Sequence, residues 1–188
     1  MSFSIREKTY IRYKRLRVKS TRFTVPGSLK RAHNFLVCLP KKREHLYHVA
    51  RRLEILTNLS EAAVFSFSCD SSLVSRFNTA RGDYRILTLD PDSLGFFSNP
   101  KGAFLRRLLA LRAEVAIDLD FDHNLTNALI CLESRAPLRL GGEKKNLGLP
   151  FYNLVVATGR GSDRYDTILD SFLETIANLI NGNAAQKG

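Results

Sequence analysis

Short apolar runs alternate with longer segments whose apolar residues recur at helical spacing, and this alternation limits the fold more than any other feature of the chain. NFLVCL, residues 34–39, lies between His33 and Pro40 with no polar phase. That suits a strand covered by helices on both faces, because neither side meets water. In residues 44–59, Leu46, Val49, Ala50, Leu53, Leu56 and Leu59 follow at steps of three and four, with Arg51, Arg52 and Glu54 on the other side, which predicts one continuous amphipathic helix. The pattern then repeats. AAVFSFS (62–68) reads as a second strand, SSLVSRFN (71–78) as a short helix and RILTLD (85–90) as a third strand. Asp90-Pro91-Asp92 and Asn99-Pro100 mark a loop, since proline lacks an amide donor and steers its predecessor away from helix.

The second half continues the series. Phe104, Leu105, Leu108, Leu109 and Leu111 place a helix at 102–112, and EVAIDLDF (114–121) is a fourth strand. Leu125, Ala128, Leu129 and Leu132 form the stripe of a helix at 124–134; APLRLG then runs into the breaker Gly141-Gly142. YNLVVAT (152–158) is a last strand, and the stripe from Tyr165 to Ile180 is the widest in the chain. Strand and helix alternating over short connections imply a mostly parallel sheet of about six strands with helices on both faces. The expected fold is α/β, doubly wound and Rossmann-like. A chain of 188 residues suits one such domain, at 34–182, after a basic arm at 1–33 and before a disordered tail at 183–188.

Hydrophobic content of 44% and charged content of 25% match a soluble globular protein, and no apolar run approaches the roughly 18 residues that cross a bilayer. The basic start has no apolar segment behind it, so it does not read as a secretory signal, and a cytoplasmic location is expected, with a peripheral membrane position as its variant. Cys38, Cys69 and Cys131 stand in apolar surroundings without metal-ligand spacing and read as buried thiols of a reducing compartment.

DLDFDHN, residues 118–124, is the densest polar cluster. If the fourth strand persists through Asp122, alternation puts Asp118, Asp120 and Asp122 on one face, where magnesium or calcium would relieve their repulsion. The calcium-loop pattern fails, because His123 and Leu129 stand where a glycine and a bidentate glutamate belong. The favoured reading is the polar end of a strand, with Asp122 or Asn124 capping the next helix. Strand ends in parallel sheets also form crevices, so Lys41, Lys42, Arg43, Asp70, Ser71, Asp118, Asp120, Asp122, His123 and Asn124 are the candidate ligand-binding residues. The ligand class considered is a phosphorylated or sugar-like small molecule. Gly159-Arg160-Gly161 lacks the third glycine of a dinucleotide fingerprint, so Ser162 or Asp163 is read as a helix cap and no cofactor is called for. His45 and His48 share a helix face, read as solvated rather than as part of a zinc site.

The net charge of +11 is concentrated: residues 1–33 hold ten Lys or Arg against Glu7 alone. Tyr10, Ile11, Tyr13, Leu16 and Val18 interleave with Arg12, Lys14, Arg15, Arg17 and Lys19. Three readings fit: a solvated helix whose Tyr and Leu side chains dock on the domain, a contact with anionic membrane, or a contact with nucleic-acid phosphates.

The segments NFLVCLPKKREHLYHVARRL, EVAIDLDFDHNLTNALICLESRA and PLRLG, within residues 34–141, resemble the N-terminal, acceptor-side half of the heptosyltransferase family. These are glycosyltransferases of two Rossmann-like domains, the GT-B arrangement. The resemblance implies a Rossmann-like half domain whose first loop is glycine-rich and ends in a catalytic aspartate, with the nucleotide-sugar donor held mainly by a second domain. This chain has Pro40-Lys41-Lys42-Arg43-Glu44 in that loop, so Glu44 is the acid available as a catalytic candidate. The expectation is a ligand- or partner-binding module rather than a complete transferase. A metal-dependent enzyme using Asp118, Asp120 and Asp122 is the remaining alternative.

Overall fold

A computed structural model of the chain describes residues 4–17, 29–58, 63–74, 84–122, 124–144, 147, 150–157 and 164–180. In chain order its elements are α1 (Ile5–Arg17), β1 (Asn34–Cys38), α2 (Arg43–Arg51), α3 (Leu53–Thr57), β2 (Val64–Asp70), β3 (Tyr84–Leu89) and α4 (Gly102–Ala110). β4 (Val115–Asp118), α5 (Leu125–Glu133), β5 (Leu138–Gly142), β6 (Leu154–Val156) and α6 (Tyr165–Ile180) complete them. Short 3₁₀ turns occupy Ser71–Leu73 and Pro91–Ser93.

The six strands form one sheet in the order β3-β2-β1-β4-β5-β6, and every neighbouring pair is parallel. This is the doubly wound Rossmann order, in which the chain reverses its direction of travel across the sheet between β1 and β4. β1 is the hub: Leu36 lies opposite Ser66 of β2 and Ala116 of β4, and Cys38 lies opposite Asp118.

Alternation along the strands feeds two cores. Phe35 and Val37 of β1, Phe65 and Phe67 of β2, and Val115 and Ile117 of β4 pack with Leu46 and Val49 of α2 and with Leu169, Phe172 and Ile176 of α6. Leu36, Cys38 and Ala116 point the other way, onto Phe104 and Leu108 of α4 and Leu125, Leu129 and Leu132 of α5. Ile11 of α1 joins this second core. The two faces explain the unbroken apolar runs, since a strand between two helical layers has no solvent side.

The strands read at 62–68 and 152–158 form at Val64–Asp70 and Leu154–Val156, and Gly141-Gly142, read as a breaker, are the last residues of β5. Three further differences from the sequence reading bear on the site. The expected single helix at 44–59 is broken at Arg52, whose amide bonds back to Val49 at 2.9 Å in a tightened turn while its guanidinium reaches Asp170 of α6, Nη2 to Oδ2 at 2.6 Å. The helix read at 71–78 is a 3₁₀ turn at Ser71–Leu73, and residues 75–78 lie outside the described residues. β4 ends at Asp118 rather than running to Phe121, which alters the geometry of the acidic stretch. The caps read at Ser162 and Asp163 and the tail at 183–188 also lie outside the described residues.

Candidate functional site

The carboxyl ends of β1 and β4 meet side by side, and the polar residues there settle into three tiers. The deepest is Asp118, which is fully buried. Its Oδ2 accepts from Lys144 Nζ at 2.7 Å and from the hydroxyl of Tyr152. Its Oδ1 accepts from the Asp120 amide at 2.9 Å and from Asn127 Nδ2 at 3.1 Å. Four donors fill the acceptor capacity of a carboxylate, so Asp118 is a structural anchor with no lone pair left for a ligand. Lys144 is buried as completely as its partner, at 1% exposure against 0%. Burial in this acidic niche, and then the adjoining Asp118 charge, push the Tyr152 phenol well above its ordinary range.

The second tier is Asp120, which holds two loops together. Its Oδ2 accepts from the Lys41 amide at 3.2 Å and from Asn124 Nδ2 at 2.8 Å, and its Oδ1 from the Asp122 amide at 3.1 Å. The loop after β1 is thereby pinned to the loop after β4. Asn124 turns its Oδ1 to the Asn127 amide at 3.2 Å and caps α5, as the sequence suggested for Asn124 or Asp122. Asn127 Nδ2 also reaches the Leu39 carbonyl at 3.0 Å, tying α5 to the end of β1.

The third tier faces solvent. Asp122 pairs with Lys42 Nζ at 2.9 Å and stands 3.8 Å from His45 Nδ1. Its carboxylate raises the Lys42 ammonium above its ordinary value through the hydrogen bond between them. The expectation that Asp118, Asp120 and Asp122 share one face is therefore corrected. With β4 ending at Asp118, the Asp118 and Asp120 carboxylates each accept from the backbone amide two residues on, Asp122 turns to Lys42, and the three diverge to different partners. Among the described residues, no group of three His, Cys, Asp or Glu side chains is placed to hold a metal ion.

Above these tiers lies an open crevice of about 470 Å³ lined by Lys41, Lys42, Asp120, Asp122, Asn124 and Thr126, with Glu7 of α1 on its rim. A narrower cleft of about 50 Å³ adjoins it through Lys41, Asn124 and Thr126 and runs inward past Pro40, Ser68 and Asp70. Asp70 Oδ1 accepts from the Ser72 amide at 3.0 Å and shapes the turn after β2. Among the described residues the Lys41 ammonium makes no ion pair, so the crevice offers one free cation beside a mixture of amide, hydroxyl and carboxylate groups.

Of the residues singled out from sequence, Lys41, Lys42, Asp70, Asp120, Asp122 and Asn124 line this connected space. Asp118 lies beneath it. Arg43 and Ser71 open α2 and the 3₁₀ turn at its margins, exposed and outside both linings. His123 lies outside the described residues. Glu44 is exposed on the first turn of α2, with its carboxylate 3.8 Å from His45 Nε2. The solvated face read for His45 is also corrected, because its ring is stacked on Tyr165 of α6 at 3.9 Å and burial lowers its pKa below the ordinary imidazole value. Sequence reasoning missed Lys144, Tyr152, Asn127 and Thr126. A polar Asn127 between the buried Leu125 and Ala128 was the one local signal.

All three cysteines are buried, as read from their surroundings. Cys38 and Cys131 lie 3.7 Å apart, Sγ to Sγ, behind Asp118, and desolvation raises the Cys38 thiol well above its ordinary pKa. No helix among the described residues is long and apolar enough to cross a membrane.

The chain is similar to the crystal structure of a glycosyl transferase family 9 protein from Veillonella parvula DSM 2008, with a TM-score of 0.57 at 14% sequence identity. The fold is glycosyltransferase-like. The likeness covers 76% of this chain and 41% of that one, so the chain spans about two fifths of the length of the protein it matches. At this identity the agreement is one of fold. No protein-family model matches the sequence, and no curated protein does.

Proposed function

We propose that the chain binds a small polar ligand, phosphorylated or sugar-like, in the crevice over the β1–β4 junction, and that it corresponds to one half of a heptosyltransferase-like architecture that does not by itself complete glycosyl transfer. The observation that carries this reading is the coincidence of crevice and sheet order. In an open parallel sheet, ligands gather outside the carboxyl ends of strands at the point where the order reverses. Here that point is the β1–β4 pair, where Lys41, Asp120 and Asn124 stand over Cys38 and Asp118.

The volume of about 470 Å³ lies within the range of small-molecule sites. The Lys41 ammonium supplies a charge for phosphate. The Thr126 hydroxyl and the polar side chains around it suit sugar hydroxyls, which both donate and accept. Glu44, on the first turn of α2 just after the loop where the resembled family keeps its catalytic aspartate, is the acid to test first.

Calorimetry with sugar phosphates and nucleotide sugars tests the ligand. Binding that Lys41→Ala and Thr126→Val weaken supports the reading; absence of binding across both classes refutes it. Glycosyl transfer by this chain alone, abolished by Glu44→Gln, would overturn the second half of the proposal.

A further inference from the structure

α1 carries apolar side chains on two opposite faces, and the domain accounts for only one. Ile11 is buried in the second core, and Tyr10 is stacked ring on ring with Phe97 at 4.4 Å and 3°. Lys14 is bonded to Glu133 of α5. These contacts fix the helix on the domain and correct one expectation, since Lys14 faces α5 rather than an outside partner. At 100° per residue, Ile5, Thr9, Tyr13 and Leu16 fall on the side opposite Ile11. Ile5 and Leu16 are each 82% exposed and Tyr13 is 44% exposed, so Leu16 does not dock on the domain as expected of it.

The loop before α4 extends this stripe. Phe97, held by Tyr10, turns Phe96 outward to 77% exposure with its ring edge-on to Phe97 at 5.0 Å. The Arg6 guanidinium lies 5.4 Å from the Phe96 centroid. Ile5, Thr9, Tyr13, Phe96 and Phe97 border an open apolar hollow of about 690 Å³. Exposed Lys8 and Arg12 flank the stripe on one side and Arg6 on the other. The side chain of Arg17 and the whole of Lys19 lie outside the described residues.

We propose that this outer face of α1, with Phe96, docks on the surface of an anionic lipid bilayer. Two aliphatic tips and two aromatic rings between rows of cations match the boundary between acyl chains and acidic headgroups, where apolar burial and charge attraction add. Nucleic acid fits the same face less well. Ile5 and Leu16 have no π-face for a base, and Tyr10 is already committed to Phe97. The docking does not depend on what the crevice binds.

The chain contains no tryptophan, so Phe96→Trp creates a single reporter on this face. The experiment measures its emission, and co-sedimentation of the full chain, with phosphatidylcholine vesicles with and without phosphatidylglycerol. A blue shift and sedimentation that require phosphatidylglycerol are expected. A control reporter at Tyr47→Trp, exposed on α2, is expected to keep its emission. Lys8→Gln with Arg12→Gln should weaken partitioning on the order of tenfold or more, since each surface cation contributes roughly fivefold. Ile5→Ser with Leu16→Ser should abolish sedimentation while circular dichroism stays unchanged, both side chains being exposed. Absence of vesicle binding, binding indifferent to the aliphatic changes, or binding to an RNA homopolymer with none to vesicles overturns the proposal.

Discussion

Lys144→Met removes one half of a buried ion pair without emptying the space it fills. The carboxylate of Asp118 then remains at 0% exposure with no opposite charge beside it. Breaking one side of such a pair costs about 3–5 kcal/mol, because the surviving charge cannot recover its hydration. Three donors still reach Asp118: the Tyr152 hydroxyl, the Asn127 amide and the Asp120 backbone N–H. They place the loss at the lower end, about 3 kcal/mol, against a total stability of about 5–15 kcal/mol for a domain. For a chain of this size that corresponds to a fall in Tm of roughly 6–12 °C.

The partner change sharpens the test. Asp118→Asn keeps an acceptor oxygen for the Asp120 amide but leaves Lys144 buried and unpaired, so it should be costly alone. In the double variant no charge remains, and its loss should fall short of the summed single losses by about 2 kcal/mol or more. Urea unfolding followed by far-ultraviolet circular dichroism gives all three values. A Lys144→Met loss below about 1 kcal/mol, or singles that add within about 0.5 kcal/mol, would show that Asp118 and Lys144 are not coupled as a buried pair.

Three further outcomes follow from the same region. Gly141→Ala should cost about 1–3 kcal/mol in urea unfolding, because its Cβ would stand 2.8 Å from the Tyr152 ring, which is buried and cannot retreat; an unchanged midpoint would show that the ring moves. Asn124→Ala should cost about 1 kcal/mol or more, losing both the α5 cap and the bond to Asp120, whereas Asn124→Ser should keep a capping oxygen without adding a charge beside Asp120 and cost less; equal effects would dismiss the capping role. The His45 imidazole should titrate below the ordinary histidine value of about 6.5 in an NMR pH series, since burial disfavours the charged form. Its contribution to stability is then complete above that value and declines as pH falls towards the folded pKa. Asp122→Asn should lower that folded pKa further by removing a carboxylate 3.8 Å away; a rise would contradict the geometry.

The sheet was legible because its central strands, β1 and β4, are covered on both faces, and such strands leave runs like NFLVCL that few other environments permit. The end of β4 was harder to read. The pattern DLDF goes on alternating after the strand has stopped, because the Asp118 and Asp120 carboxylates each accept from the amide two residues on, a spacing that shares the period of a strand. The break at Arg52 has no mark in the apolar spacing, which runs through it. Lys144 and Tyr152 were beyond reach for a different reason: they meet Asp118 from 26 and 34 residues away, and nothing in their own neighbourhood distinguishes a buried lysine from a solvated one. His45 likewise takes its character from Tyr165 on α6, a contact the sequence of α2 does not record.

The site at the β1–β4 junction is tested most directly by mapping amide chemical-shift changes in the full chain during titration with a sugar phosphate or nucleotide sugar. Changes are expected at Leu39 to Lys42, Ser68 to Ser72 and Asp118 to Thr126, saturating together and lost in Lys41→Ala. Saturable changes confined to another edge of the sheet, or none with any member of either ligand class, would contradict a site at this junction.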